Sequence, residues 1–149
     1  MSNCAANPPY QFTHHVRDHC LCLQVQRTAR ALARRFDDAF RPLQLTHGQF
    51  SLLTALNRPE PTGMGSVAAL LAMDRMTLTA NLKPLERRDL VKVTIDKADK
   101  RGRRLALTAA GRALLAAAAP IWQPTHAEME RRLKSSGPDK LRTALRELC

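Results

Sequence analysis

Apolar positions along this chain keep the period of helices almost throughout and switch to the period of strands only once. From about Thr13 to Phe40, Leu21, Val25, Ala29, Leu32, Phe36 and Phe40 fall on one stripe at steps of three and four, which predicts a single long amphipathic helix. Arg41-Pro42 ends it, because the residue before a proline avoids the α region. Thr46-His-Gly-Gln49 fits a capping box and opens a second helix through Leu52, Leu53 and Leu56. After the turn-rich Arg58-Pro-Glu-Pro-Thr-Gly63, residues 65–73 predict a short third helix. Asp74 then caps a fourth, in which Leu78, Leu82 and Leu85 at i, i+4 and i+7 face inward. Val91, Val93 and Ile95 alternate with Lys92 and Thr94, the period of a half-buried strand, and Leu105 and Leu107 supply its return. Thr108 caps a fifth helix to about Leu133, where Pro120 and Pro124 predict a bend. Ser135-Ser-Gly-Pro-Asp139 breaks the chain before a terminal helix over 140–148.

This order predicts a mainly α fold with a small two-stranded antiparallel wing, a winged helix-turn-helix. The outer face of the fourth helix carries Met76, Thr79, Ala80, Lys83 and Arg87, with Arg75 and Thr77 at its N-terminus. Small, hydroxyl and cationic groups on one helix face suit a major groove. Arg75, Met76, Thr77 and Thr79 are the base-edge candidates, and Lys83 and Arg87 the phosphate candidates. The hairpin tip 97–104 holds five cations, among them Lys100, Arg101 and Arg103, and one acid. Arg101 is placed to enter a narrow minor groove; the bland alternative is a solvated hairpin. The partner implied is double-stranded DNA. Pro84, inside the fourth helix, leaves the Ala80 carbonyl without its donor.

The motifs then become specific. Asp96-x-x-Asp99-Lys-Arg101 followed by Leu107-Thr-x-x-Gly111 resembles the wing signature of the MarR family of bacterial transcription regulators. Leu45-Thr-x-x-Gln49-Phe and Leu85-Glu-Arg-Arg-Asp-Leu-Val91 are similar to that family's second helix and recognition-helix ending. The resemblance runs from about Cys20 to the C-terminus. Lys100 stands where the family usually has arginine, and loses its planar fork. Asp89 stands where it usually has glycine, at a site expected to favour φ > 0, which aspartate tolerates better than most residues.

The resemblance implies one domain over 1–149, with dimerisation helices at about 13–42 and 108–149 around a DNA-binding region at 45–108. It implies a homodimer on a pseudo-palindromic operator, acting as a repressor that a small-molecule effector releases. By the same analogy an effector pocket involves Phe36, Phe40 and Trp122. Leu21-Cys-Leu-Gln-Val-Gln-Arg-Thr-Ala-Arg30 is also similar to the organic-hydroperoxide-sensing branch, where a cysteine at the place of Cys22 is the reactive thiol. The tyrosine that would hydrogen-bond that sulfur is replaced by Gln26. Two alternatives therefore stand beside effector release: a redox switch at Cys22, and an effector-free architectural DNA binder.

Composition narrows this little further. Lys plus Arg is 24 against 13 Asp plus Glu, a formal charge of +11, which favours a polyanion through counterion release. Aromatic residues make up only 4% of the chain, against a base-stacking platform for single strands or RNA. Cys4, Cys20, Cys22 and Cys149 form no CxxC pair, so no zinc ribbon is expected. His15, His19 and Cys22 share one helical sector, an incomplete ligand set, and no metal is assigned. Within one unbroken helix Cys20 and Cys22 lie roughly 160° apart and cannot pair; a partner for Cys22 would come from Cys4 or Cys149. No nucleophile–base motif, phosphate loop or HExxH occurs, so neither an enzyme nor a cofactor is expected. The N-terminus lacks a signal-peptide pattern and the longest apolar run, Ala113–Ala119, is too short to span a bilayer. A cytoplasmic protein with reduced thiols is expected.

Overall fold

The helix predicted over 13–40 is two helices in the computed structural model, which describes residues 8–134 and 137–148. Helix α1 (Tyr10–His19) and helix α2 (Leu21–Phe40) meet at Cys20, whose ψ of 108° is extended. Cys20 serves both ends: its N–H donates to the Val16 carbonyl, and its sulfur accepts from the Leu23 N–H at 3.5 Å as N-cap of α2. A 3-10 turn (Arg41–Leu43) leads to α3 (His47–Leu56), where the predicted capping box is complete: Gln49 N–H donates to Thr46 Oγ1 and Thr46 N–H to Gln49 Oε1. Strand β1 (Thr62–Gly63) precedes α4 (Met64–Leu70) and α5 (Arg75–Arg87); strands β2 (Val91–Ile95) and β3 (Arg103–Leu107) form the wing. Helices α6 (Ala109–Arg131) and α7 (Pro138–Arg146) close the chain. Helix α6 is assigned unbroken through Pro120 and Pro124, and α5 through Pro84. Ala80, whose carbonyl Pro84 leaves without its helical donor, is an exposed residue.

The sheet has three strands rather than two, in the order β1-β3-β2, all antiparallel. Strand β1 is only two residues long and lies in the stretch that composition marks as a turn. It pairs Thr62 with Leu105 and Gly63 with Arg104, fixing the start of the helix-turn-helix to the wing.

One core holds these elements together. Phe36 and Phe40 of α2 join Leu52, Leu53 and Leu56 of α3, Val67 of α4, Leu78, Leu82 and Leu85 of α5, and Leu105 and Leu107 of β3. The predicted inward face of α5 is the buried one. The stripe on α2 is buried only at its C-terminal end: Leu21, Val25 and Leu32 are 66%, 41% and 40% exposed.

Three connections end alike. Gln44, Ala72 and Asp89 have φ of 50°, 50° and 54°, and none is glycine. Around each, two reverse bonds close the Schellman pattern: Leu45 N–H to Phe40 O with Gln44 to Arg41, Met73 to Ala68 with Ala72 to Ala69, and Leu90 to Leu85 with Asp89 to Glu86. The expected positive φ at Asp89 is thus present. Gly111 of the wing signature has another reason to be glycine. A Cβ there would stand 2.0 Å from the Leu90 carbonyl oxygen, on which α6 packs.

Candidate nucleic-acid interface

Helix α5 is fixed from behind by three buried leucines and at its start by Asp74, which accepts from the Thr77 N–H at 2.8 Å and the Thr77 hydroxyl at 2.6 Å. Those bonds, led by the hydroxyl's, hold the Asp74 carboxyl below its ordinary value. Every predicted contact residue on this helix, Arg75, Met76, Thr77, Thr79, Lys83 and Arg87, is exposed, and Met76 is 84% exposed. Lys83, Glu86 and Arg87 line one shallow depression on that surface. The two hydroxyls have their protons committed: Thr79 donates to the Arg75 carbonyl at 2.8 Å, as Thr77 does to Asp74. Each therefore offers a base an acceptor oxygen and a methyl group, which fits the amino groups of adenine or cytosine and the methyl of thymine.

The wing tip is built by its two aspartates. Asp96 accepts from the Ala98 N–H at 2.9 Å and from Arg104 Nε at 2.8 Å, and both, with the Ala98 bond first, hold its carboxyl low. Asp99 accepts from the Arg101 N–H at 2.9 Å, and its own carbonyl accepts from Gly102 N–H. The five cations consequently separate. Arg104 is engaged with Asp96 and with the Pro61 carbonyl beside β1. Arg103 lies back on the carbonyls of Lys100 and Gly102, at 3.3 and 3.1 Å. The side chains of Lys97, Lys100 and Arg101 have no hydrogen-bond partner among the described residues and point their charge to solvent. Sequence reasoning missed the Arg104 brace; an acid and an arginine flanking the hairpin tip were its only signal.

The residues assigned to an effector pocket are not brought together. A groove of about 420 Å³ opens between α3, α4 and α6, with His47, Phe50, Thr54, Arg58, Leu71 and Trp122 in its lining. Trp122 forms part of its wall and stacks on His126 at 4.4 Å. Phe36 and Phe40 do not reach it: they are 6% and 0% exposed and pack behind His47 and Phe50, at ring distances of 5.1 and 4.8 Å. Core packing claimed both rings. Burial lowers the pKa of the His47 imidazole, with the Asp37 carboxylate opposing.

Cys22 is exposed, and Gln26 Nε2 donates to its sulfur at 3.2 Å while Arg30 donates to Gln26 Oε1 at 3.1 Å. The amide thus makes the bond that its replacement of tyrosine put in doubt. The break at Cys20 removes the single helical sector expected for His15, His19 and Cys22; the two imidazoles instead stack on each other at 4.4 Å. No His, Cys, Asp and Glu grouping suited to a metal occurs among the described residues. Cys4 and Cys149 lie outside them. Among the described residues, no helix is long and apolar enough to cross a membrane.

Known proteins match this geometry. The model of the MarR family matches residues 45–102, from the capping box through the wing tip. The crystal structure of the Mycobacterium tuberculosis transcriptional regulator MosR in complex with DNA superposes with a TM-score of 0.79 at 36% identity, covering 87% of this chain and 93% of that one. The transcriptional repressor CouR, bound to a 23-mer DNA duplex, gives 0.69 at 29% identity over 89% and 92%. The Staphylococcus aureus regulator SarZ is 26% identical over 101 residues, 68% of each chain.

Proposed function

This chain belongs to the MarR family of winged helix-turn-helix DNA-binding transcription regulators, and from that premise we propose that it is a homodimeric repressor of a pseudo-palindromic operator, released by a small-molecule effector. The outer face of α5 carries this reading. It presents Met76, Lys83 and Arg87 to solvent from a helix whose opposite side is locked in the core. Arg75, Met76, Thr77 and Thr79 read base edges in the major groove, and Lys83 and Arg87 hold phosphates. Lys100, Arg101 and Arg103 of the wing follow the adjacent minor groove. That CouR is a repressor and that MosR and CouR bind DNA supports the assignment. The helices at 13–42 and 108–149 supply the dimer contact, setting two α5 helices roughly 34–36 Å apart, one turn of DNA. The effector enters the Trp122 groove, where Phe50, Leu71 and Trp122 offer apolar contact and Arg58 a cation, a lining for an amphipathic anion.

Selection of genomic fragments with the purified full-length protein tests this. Enrichment of a few fragments sharing an inverted repeat, with half-sites about one helical turn apart, is the expected result. Enrichment without a shared sequence would overturn it in favour of an architectural binder. A second reading keeps the same DNA contact but makes Cys22 the sensor, because Gln26 aims a donor at an exposed sulfur. On that reading peroxide releases the DNA, dithiol restores binding, and Cys22→Ser keeps affinity while abolishing release. Operator binding indifferent to peroxide would dismiss it.

A further inference from the structure

Arg88 is the C-cap of α5, one residue before the left-handed Asp89. Its guanidinium reaches 44 residues back along the chain. Nη1 donates to the Gln44 carbonyl at 2.7 Å and Nη2 to the Leu43 carbonyl at 3.4 Å. These acceptors end the turn between α2 and α3, and Gln44 is itself one of the three left-handed non-glycine residues. No acid pairs with Arg88 among the described residues; its hydrogen bonds are both to backbone carbonyls of another helix end. Carbonyls at the end of a helical turn lack an intrahelical donor and accept readily from a cationic N–H. Two carbonyls of successive residues also match a planar fork rather than a point charge.

We propose that Arg88 is a positioning residue for DNA binding, a clamp that ties the connection between α2 and α3 to the end of the DNA-facing helix. It holds the angle at which α5 is presented, and it carries a displacement of α2 directly to α5 without passing through the core. The inference rests on the reading of α5 as the DNA-facing helix. The rival role for an exposed arginine beside that helix is a phosphate contact. The two differ in salt dependence. Removing a phosphate contact lowers the slope of log affinity against log salt by about one, whereas removing a clamp releases no counterion and leaves it unchanged.

The test compares full-length wild type, Arg88→Ala and Arg88→Lys. Amide hydrogen exchange is read without DNA, and binding of the most enriched genomic duplex is then read across a salt series. The expected result for Arg88→Ala is faster exchange at the Gln44 and Leu45 amides, affinity about tenfold weaker and an unchanged salt slope. Arg88→Lys, able to satisfy one carbonyl, falls between. Exchange at Gln44 and Leu45 identical to wild type, a slope reduced by about one, or unaltered affinity would each overturn the clamp. If no duplex is enriched the DNA reading fails separately, and the exchange measurement still decides whether Arg88 holds the turn.

Discussion

Lys100 and Arg101 end the wing with no acid paired to them among the described residues, although Asp96 and Asp99 precede them in the same hairpin tip. Asp96 and Asp99 commit their carboxylates to backbone N–H groups and to Arg104, bonds that shape the turn without using the side chains of Lys100 and Arg101. Arg101→Ala therefore removes charge without removing structure. Operator affinity is expected to fall by roughly 1–3 kcal/mol with an unchanged circular dichroism spectrum; unchanged affinity would leave the wing a solvated hairpin. His47 makes the opposite case, a residue whose ionisation bears on stability. Burial against Phe36 lowers its folded pKa beneath the ordinary 6.5, and Asp37 offsets only part of that. A histidine depressed by burial favours the folded state while neutral, so its contribution is complete above about pH 6.5 and drains away as pH falls below that. The carboxyls of Asp74 and Asp96 are also depressed, but they titrate below their ordinary 3.8 and contribute nothing to that window. Melting temperature should thus decline between about pH 6.5 and 5 in the wild type and much less in His47→Gln. Parallel declines in the two proteins would show that His47 is not the group responsible.

Among the elements, those that bury one clean face were legible in the sequence. The Thr46 capping box, the Leu78–Leu82–Leu85 face and the inward Leu105 and Leu107 of β3 all appear where local pattern and tertiary burial agree, whereas the alternation of β2 holds at Val91 and Val93 and fails at Ile95, which lies exposed next to the hairpin tip. The expected positive φ at Asp89 followed from a resemblance and is met by a reverse-bonded turn. What stayed hidden has a physical reason in each case. One extended residue at Cys20 interrupts a helix without disturbing the apolar period on either side, and a sulfur is a weak cap to recognise. Two residues of β1 are too few to show any period. The need for glycine at 111 comes from a carbonyl 21 positions earlier in the chain, at Leu90. Ala72 gave no warning at all, since alanine is the strongest helix former and here occupies a left-handed position in the turn between α4 and α5. That conformation costs a residue with a Cβ about 1–2 kcal/mol. Glycine avoids the strain but loses about 0.4–1 kcal/mol more through the freedom of the unfolded chain. The strain outweighs the lost freedom, so Ala72→Gly should stabilise by about 0.5–1 kcal/mol, read as a later denaturant midpoint at constant slope. A lowered midpoint would show that the Ala72 turn is not strained.

At the scale of the whole molecule, the first and last described helices are under-buried. Helices α1 and α7 contain no buried residue among those described, and they carry Tyr10 and Phe12, and Leu141 and Leu145, at 73%, 55%, 38% and 40% exposure. Leu21, Val25 and Leu32 of α2 are exposed as well. A lone chain would keep all these apolar side chains in water, whereas a subunit contact would cover them. The net charge of +11 repels a second copy, so association must be driven by the apolar faces and helped by a polyanion that screens both subunits. The proposed two-fold dimer would cover these helices and set two α5 helices for neighbouring grooves. The protein is expected to sediment as a dimer at micromolar concentration, with a melting temperature that rises with protein concentration because unfolding and dissociation are linked. Removing residues 136–149 strips α7 from that surface, and the shortened chain is expected to aggregate or to lose its cooperative transition. Sedimentation of the shortened chain as a folded monomer that still binds the selected duplex would refute the dimer and, with it, the assignment of 13–42 and 108–149 to the subunit contact.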